Sequence, residues 1–136
     1  MGGPPPLLLD ACVFSDRDFS EWLEDYHGRK VIPTVAYTEL CYYLSGKKGW
    51  SLGRIRGYLL GLGIEIIRYS PDDADRIMPV AVQGGDFKQH KYDYMIASHG
   101  VFAPWIMVTN NIDHFYYLGS RVKTPREVKR IFGRHR

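Results

Sequence analysis

The run Leu7-Leu8-Leu9, stopped by Asp10, constrains this chain more than any other stretch. It follows the prolines Pro4–Pro6 and shows no polar alternation. A short apolar run with no solvent-facing side reads as a strand buried on both faces, the kind found in parallel sheets covered by helices. Asp10 then ends the strand with a carboxylate, which costs free energy in so apolar a setting unless something pairs with it. In open parallel sheets, ligands bind outside the carboxyl ends of the strands. Asp10 therefore stands where chemistry is usually done.

The remaining chain alternates helical and extended patterns. Ser15 opens a helix with Asp16 and Asp18 in its first turn and Phe19, Trp22, Leu23 and Tyr26 at helical spacing, ending at Gly28. Val31-Ile32-Pro33 returns across the sheet, and Thr34 starts a second helix that carries Glu39 among apolar and aromatic neighbours. Ser45–Gly49 reads as a basic loop, Ser51 opens a third helix, and Ile64–Ile67 is a strand. Pro71-Asp72-Asp73 starts a fourth helix, which fades at Gln83-Gly84-Gly85. A fifth begins at Lys91, with Asp93 in its first turn, and is expected to run to about Ala103. Trp105–Thr109 is an apolar strand that ends in Asn110-Asn111-Ile112-Asp113-His114-Phe115. A short extended piece near Arg121–Lys123 precedes a last helix capped by Thr124 and Glu127 with Pro125 at its first position. The pattern predicts an α/β fold: three layers, α/β/α, around a mostly parallel sheet.

At 136 residues the chain is expected to be one domain, with residues 1–6 a loose lead-in and 124–136 a basic helix and tail. No apolar run approaches the roughly 20 residues of a membrane span, and the opening residues lack the pattern of a signal peptide. Cys12 and Cys41 form no disulfide framework, and reduced thiols in a cytoplasmic protein are expected. A net charge of +3 does not by itself argue for a nucleic-acid partner.

Asp10, Glu39, Asp93 and the Asn111/Asp113 pair fall at element ends or break an apolar pattern. Singly, Asp93 suits a helix start, Asp113 a turn and Glu39 a solvated stripe. As a set they suggest one acidic crevice, provided the strands ending at Asp10 and Thr109 are neighbours. Clustered carboxylates repel unless a cation joins them. Oxygen donors select Mg²⁺ or Mn²⁺, which points to phosphoryl chemistry. Other chemistries lack their signatures. There is no glycine-rich phosphate loop and no Cys-x-x-Cys, and the five histidines show no metal-ligand spacing. His114 alone sits in the candidate site loop, and Cys12 reads as a small core residue rather than a nucleophile.

Four segments, in order, resemble the motifs of PIN-domain nucleases. They are Leu-Leu-Leu-Asp10-Ala-Cys-Val-Phe, Thr34-Val-Ala-Tyr-Thr-Glu39-Leu, Asp93-Tyr-Met-Ile-Ala-Ser and Val108-Thr109-Asn-Asn111-Ile-Asp113-His-Phe115. The resemblance covers the whole domain and is strongest to the small VapC-like ribonuclease toxins. It implies a PIN-like sheet, RNA cleavage, a Mg²⁺ or Mn²⁺ site, a homodimer or higher homo-oligomer, and a small antitoxin partner. By that resemblance Asp10, Glu39 and Asp93 hold one cation, directly or through waters, and Asn111 and Asp113 complete the site or hold a second. Many relatives carry aspartate where Asn111 stands, so either Asn111 or Asp113 fills that position. Basic residues that would meet RNA are Lys47, Lys48, Arg54 and Arg56, together with Arg121 and Lys123 at the head of a C-terminal segment holding seven basic residues against one acid. Three alternatives stay open: an inactive PIN-like RNA- or protein-binding module, an RNA-processing nuclease that is not a toxin, and a flavodoxin-like binding domain.

Overall fold

The computed structural model describes residues 3–133. Five strands form one sheet: β1 (Leu7–Leu9), β2 (Lys30–Pro33), β3 (Ile64–Ile67), β4 (Ile106–Val108) and β5 (Val122–Lys123). Their spatial order is β3-β2-β1-β4-β5, and every pairing is parallel. The α/β class and parallel sheet read from the sequence are thus the observed architecture, with no antiparallel strand among the described residues. The leucines of β1 are fully buried at the centre, flanked by Val31 on one side and Met107 and Val108 on the other.

The connections are α1 (Arg17–Glu24), α2 (Thr34–Lys48), α3 (Leu52–Gly61), α4 (Pro71–Gly84), α5 (Phe87–Ala97) and α6 (Pro125–Phe132). Helix α1 packs on α6 and α4 on α5, while α2 touches both α3 and α5. Caps mark most of the predicted starts. Ser51 caps α3, and reciprocal capping boxes join Ser70 to Asp73 and Thr124 to Glu127. Several boundaries differ from the sequence reading, among them the end of α1 at Glu24, short of Gly28, and the start of α5 at Phe87, ahead of Lys91. Residues Ala11–Ser15 form a 3-10 turn, so Asp16 rather than Ser15 caps α1 by accepting the Phe19 N–H. The expected basic loop at Ser45–Lys48 is the last turn of α2, where Lys47 and Lys48 complement the helix dipole. That helix stops at Gly49, whose φ of 70° suits a residue without Cβ. Finally, α5 stops at Ala97 and gives way to a 3-10 turn at Ser98–Gly100, short of Ala103. The expected tail residues Arg134 and Arg136 and the first residues of the lead-in, Met1 and Gly2, lie outside the described residues. Among the described residues no helix is long and apolar enough to cross a membrane.

Because Leu8 lies at the centre of the sheet between Val31 and Met107 and has no exposed surface, Leu8→Ala is expected to cost about 2–5 kcal/mol of stability. Urea unfolding followed by circular dichroism measures it, and a loss under 1 kcal/mol would mean that the centre of the sheet is not packed as described.

Candidate active site

The order β3-β2-β1-β4-β5 reverses direction between β1 and β4, and such a switch point opens a crevice at the strands' carboxyl ends. Leu9 pairs with Val108 there, so the residues that follow, Asp10 and Thr109, emerge side by side. The Thr109 hydroxyl, fully buried, donates to Asp10 Oδ2 at 2.7 Å and accepts the Asn111 N–H at 3.0 Å. Ala11 N–H donates to the other carboxylate oxygen of Asp10 at 2.9 Å. Asp10 is therefore only 6% exposed, yet both of its oxygens are engaged. The strand-ending carboxylate is thus held by hydrogen-bond donors, and no cationic side chain among the described residues forms an ion pair with it.

A crevice of about 400 Å³ is lined by Asp10, Cys12, Glu39, His90, Asp93 and Asn111, among others. It brings together Asp10 from the end of β1, Glu39 from α2, Asp93 from α5 and Asn111 from the turn after β4. Asp113 does not line it and is exposed one turn further on. Glu39 stands at the rim. Burial is the main cause that lifts the Asp10 carboxyl above its ordinary 3.8; the Asp93 charge adds to it, against the Thr109 and Ala11 bonds. Glu39 is likewise raised above 4.5, by partial removal from water and by the charges of Asp10 and Asp93. Such a group favours whatever neutralises it, a proton or a cation.

The histidines depart from the sequence reading. Helix α5 breaks at His90, whose φ of −131° and ψ of 27° are not helical, and the regular turn restarts at Lys91. His90 Nδ1 lies 3.1 Å from Asp93 Oδ2, and His114 Nδ1 approaches the same oxygen at 3.3 Å. Together these three residues bring metal-ligating atoms within 4.8 Å of one another. Asp10 and Glu39 line the same crevice but do not join that group. His114 was legible as a site-loop residue. His90 was not, because a histidine three residues before an acid reads as an ordinary helix-surface pair, and its approach to His114 is long-range. Cys12 is not simply core: its Sγ faces Asp10 Oδ2 at 3.6 Å and accepts the Asn110 N–H. Burial and then the Asp10 charge push its thiol above 9.0, so it stays protonated at neutral pH and is no nucleophile.

The basic residues lie elsewhere. Arg54 stacks over Trp50 at 4.0 Å, and Arg56 and Lys48 sit over Tyr37 and Tyr43. Lys47 is exposed on α2 and Lys123 half-buried on β5. None of these lines the crevice. Arg121 is engaged by the backbone: its guanidinium donates to the carbonyls of Gly100, Val101 and Trp105 at 2.6, 2.7 and 3.4 Å. It fastens the segment entering β4 to the segment entering β5.

No protein-family model and no curated protein matches the chain. Among solved structures, it is similar to a chain of the crystal structure of DNA-bound VapBC from Salmonella typhimurium, with a TM-score of 0.66 and 21% identity over 88% of this chain and 98% of that one. The likeness shows a shared fold, and it agrees with the PIN-like architecture that the four sequence segments imply.

Two outcomes follow from this geometry. With its folded value raised, Asp10 contributes most stability when protonated, below pH 3.8, and that contribution falls as pH rises through the raised value. In metal-free buffer at pH 7, Asp10→Asn should therefore melt above wild type, with the gap closing toward pH 4. A calorimetric melt that finds wild type the more stable at pH 7 would contradict this account of Asp10. Arg121→Met should cost about 1–3 kcal/mol by leaving carbonyls without their donor, measured by urea unfolding.

Proposed function

We propose that this protein is a divalent-metal-dependent ribonuclease, the toxin of a toxin–antitoxin pair, that hydrolyses RNA phosphodiester bonds in the cytoplasm. The observation that carries the reading is the convergence of Asp10, Glu39 and Asp93 on one crevice at the sheet's switch point. The shared fold with a VapBC chain supports the toxin assignment and, with it, a small antitoxin partner; association into a homodimer or higher homo-oligomer is part of the same proposal. The donor set fits Mg²⁺ or Mn²⁺, since three carboxylates and the Asn111 carbonyl are hard oxygen ligands and the crevice leaves room for waters. When bound, such an ion lowers the pKa of a coordinated water and offsets charge that builds on the phosphate.

The chain's own residues prepare that chemistry. Thr109 and Ala11 fix the Asp10 carboxylate in one orientation, so its position need not be reorganised when a cation arrives. Glu39, at the rim, faces solvent and can accept from a water that approaches the phosphate. Asp93 contributes the third negative charge from α5. No protein nucleophile is called for, in keeping with the protonated Cys12.

The test is cleavage of total cellular RNA by the purified chain. Activity should vanish with EDTA and return with Mn²⁺ or Mg²⁺. Asp10→Asn and Asp93→Asn should each lower the rate on the order of 100-fold or more. A second reading rests on Asn111, which is neutral where many relatives carry aspartate: the domain could bind RNA without cutting it. Metal-dependent RNA binding with no cleavage by wild type would favour that reading over the nuclease.

A further inference from the structure

We propose that His90, Asp93 and His114 form a transition-metal site within the crevice, distinct in chemistry from the oxygen site of Asp10 and Glu39 and sharing Asp93 with it. The proposal rests on reading the crevice as a metal centre but does not depend on RNA cleavage. Three observations carry it. First, the two imidazoles come from separate elements, α5 and the turn after β4, and their Nδ1 atoms meet the same carboxylate oxygen at 3.1 and 3.3 Å. Bonds of about 2.0–2.2 Å from Zn²⁺ to nitrogen and oxygen donors put neighbouring donors of a tetrahedral site about 3.3 Å apart. The Asp93 oxygen thus already stands at ligand spacing from both nitrogens, and all three donors lie within 4.8 Å. Second, the break in α5 at His90 turns that ring to within 4.9 Å of the His114 ring, centroid to centroid. An unbroken helix through His90 would have a different direction for this side chain. Third, the acid that could have completed an all-oxygen site is absent from the crevice: Asn111 is neutral and Asp113 is exposed outside it.

Donor chemistry decides which ion such a site takes. Imidazole suits Zn²⁺, Cu²⁺, Fe²⁺ and Ni²⁺, whereas Mg²⁺ and Mn²⁺ prefer oxygen and Mg²⁺ keeps its waters. Two histidines and a carboxylate leave at least one coordination position to solvent or to a substrate oxygen, the pattern of a catalytic rather than a structural zinc site. All three side chains retain solvent exposure, from 23% for Asp93 to 44% for His114, so an ion can reach them. The crevice then holds two kinds of position, a hard one at Asp10 and Glu39 and a softer one at the histidines.

The experiment is calorimetric titration of the full chain, prepared without a histidine tag, with Zn²⁺ and separately with Mg²⁺, and the absorption spectrum of the Co²⁺ form. Wild type should bind one Zn²⁺, and the Co²⁺ form should show the visible bands of a low-coordinate site. His90→Ala and His114→Ala should each weaken Zn²⁺ by at least about tenfold, the loss typical even for residues that only support a metal ligand, and should leave Mg²⁺ binding within about threefold. Asp10→Asn should do the reverse. Circular dichroism confirms folding, and a shift of the His90 and His114 ring signals of wild type on Zn²⁺ addition, read by NMR, tests the assignment without any variant. If Zn²⁺ fails to bind, or binds equally well to both histidine variants without moving those signals, the histidines serve only to hold Asp93 and the proposal is wrong. Retained metal-dependent RNA cleavage in that case would leave the nuclease reading intact, whereas loss of Mg²⁺ and Mn²⁺ binding alone would sink that reading and spare this one.

Discussion

Pairing of β1 with β4 is the constraint on which the rest of the molecule depends. Leu7–Leu9 lie in register with Ile106–Val108, so two segments almost a hundred residues apart leave the sheet at adjacent points. The Thr109–Asp10 hydrogen bond is the immediate product of that register. A slip of one residue would turn Thr109 to the other face and leave Asp10, in a nearly dry position, without one of its donors. The apolar strands thus do two things at once: they fill the core, and they set the distance between the acid at the end of one strand and the turn after the other. The free-energy cost of a buried carboxylate is offset only in part by donors from the same two strand ends, and those donors fix its position before any ion arrives.

Much of this was legible in the chain. Leu7–Leu9 could be read as a doubly buried strand because no residue in it has a place in water, and the capping pairs Ser70/Asp73 and Thr124/Glu127 sit where helices begin because their side chains satisfy the first free amides. Asp10, Glu39, Asp93 and Asn111 could be grouped because they interrupt apolar patterns at element ends, and the fold brings those four to one crevice. Asp113 was grouped with them because it follows the same strand end and lies in the fourth PIN-like segment, but it is exposed outside the crevice. The turn after β4 is irregular, with non-helical backbone at Phe115 and Gly119, and sequence neighbours there do not share a direction.

What could not be read is instructive in physical terms. The role of Arg121 is decided by three carbonyls that come from a segment sixteen to twenty-one residues earlier, and no local pattern announces them. A charged residue near other charged residues looks like part of a surface field, whereas here its donors are committed to backbone. The pairing of His90 with His114 depends on a helix break that has neither proline nor glycine at the site to signal it. Each of these is a long-range arrangement, settled by packing after the elements have formed.

The sheet's margins have a consequence for how copies of the chain can meet. Its outer strands are short: β5 pairs over two residues, and β3 spans four with Glu65 in their midst, ion-paired to Arg29 at 2.6 Å on the surface. Lateral growth of a sheet needs a long, flat row of free amides and carbonyls without charge beside it. Neither margin supplies one. Sheet extension, with its slide toward fibrous aggregates, is therefore a poor route for this protein.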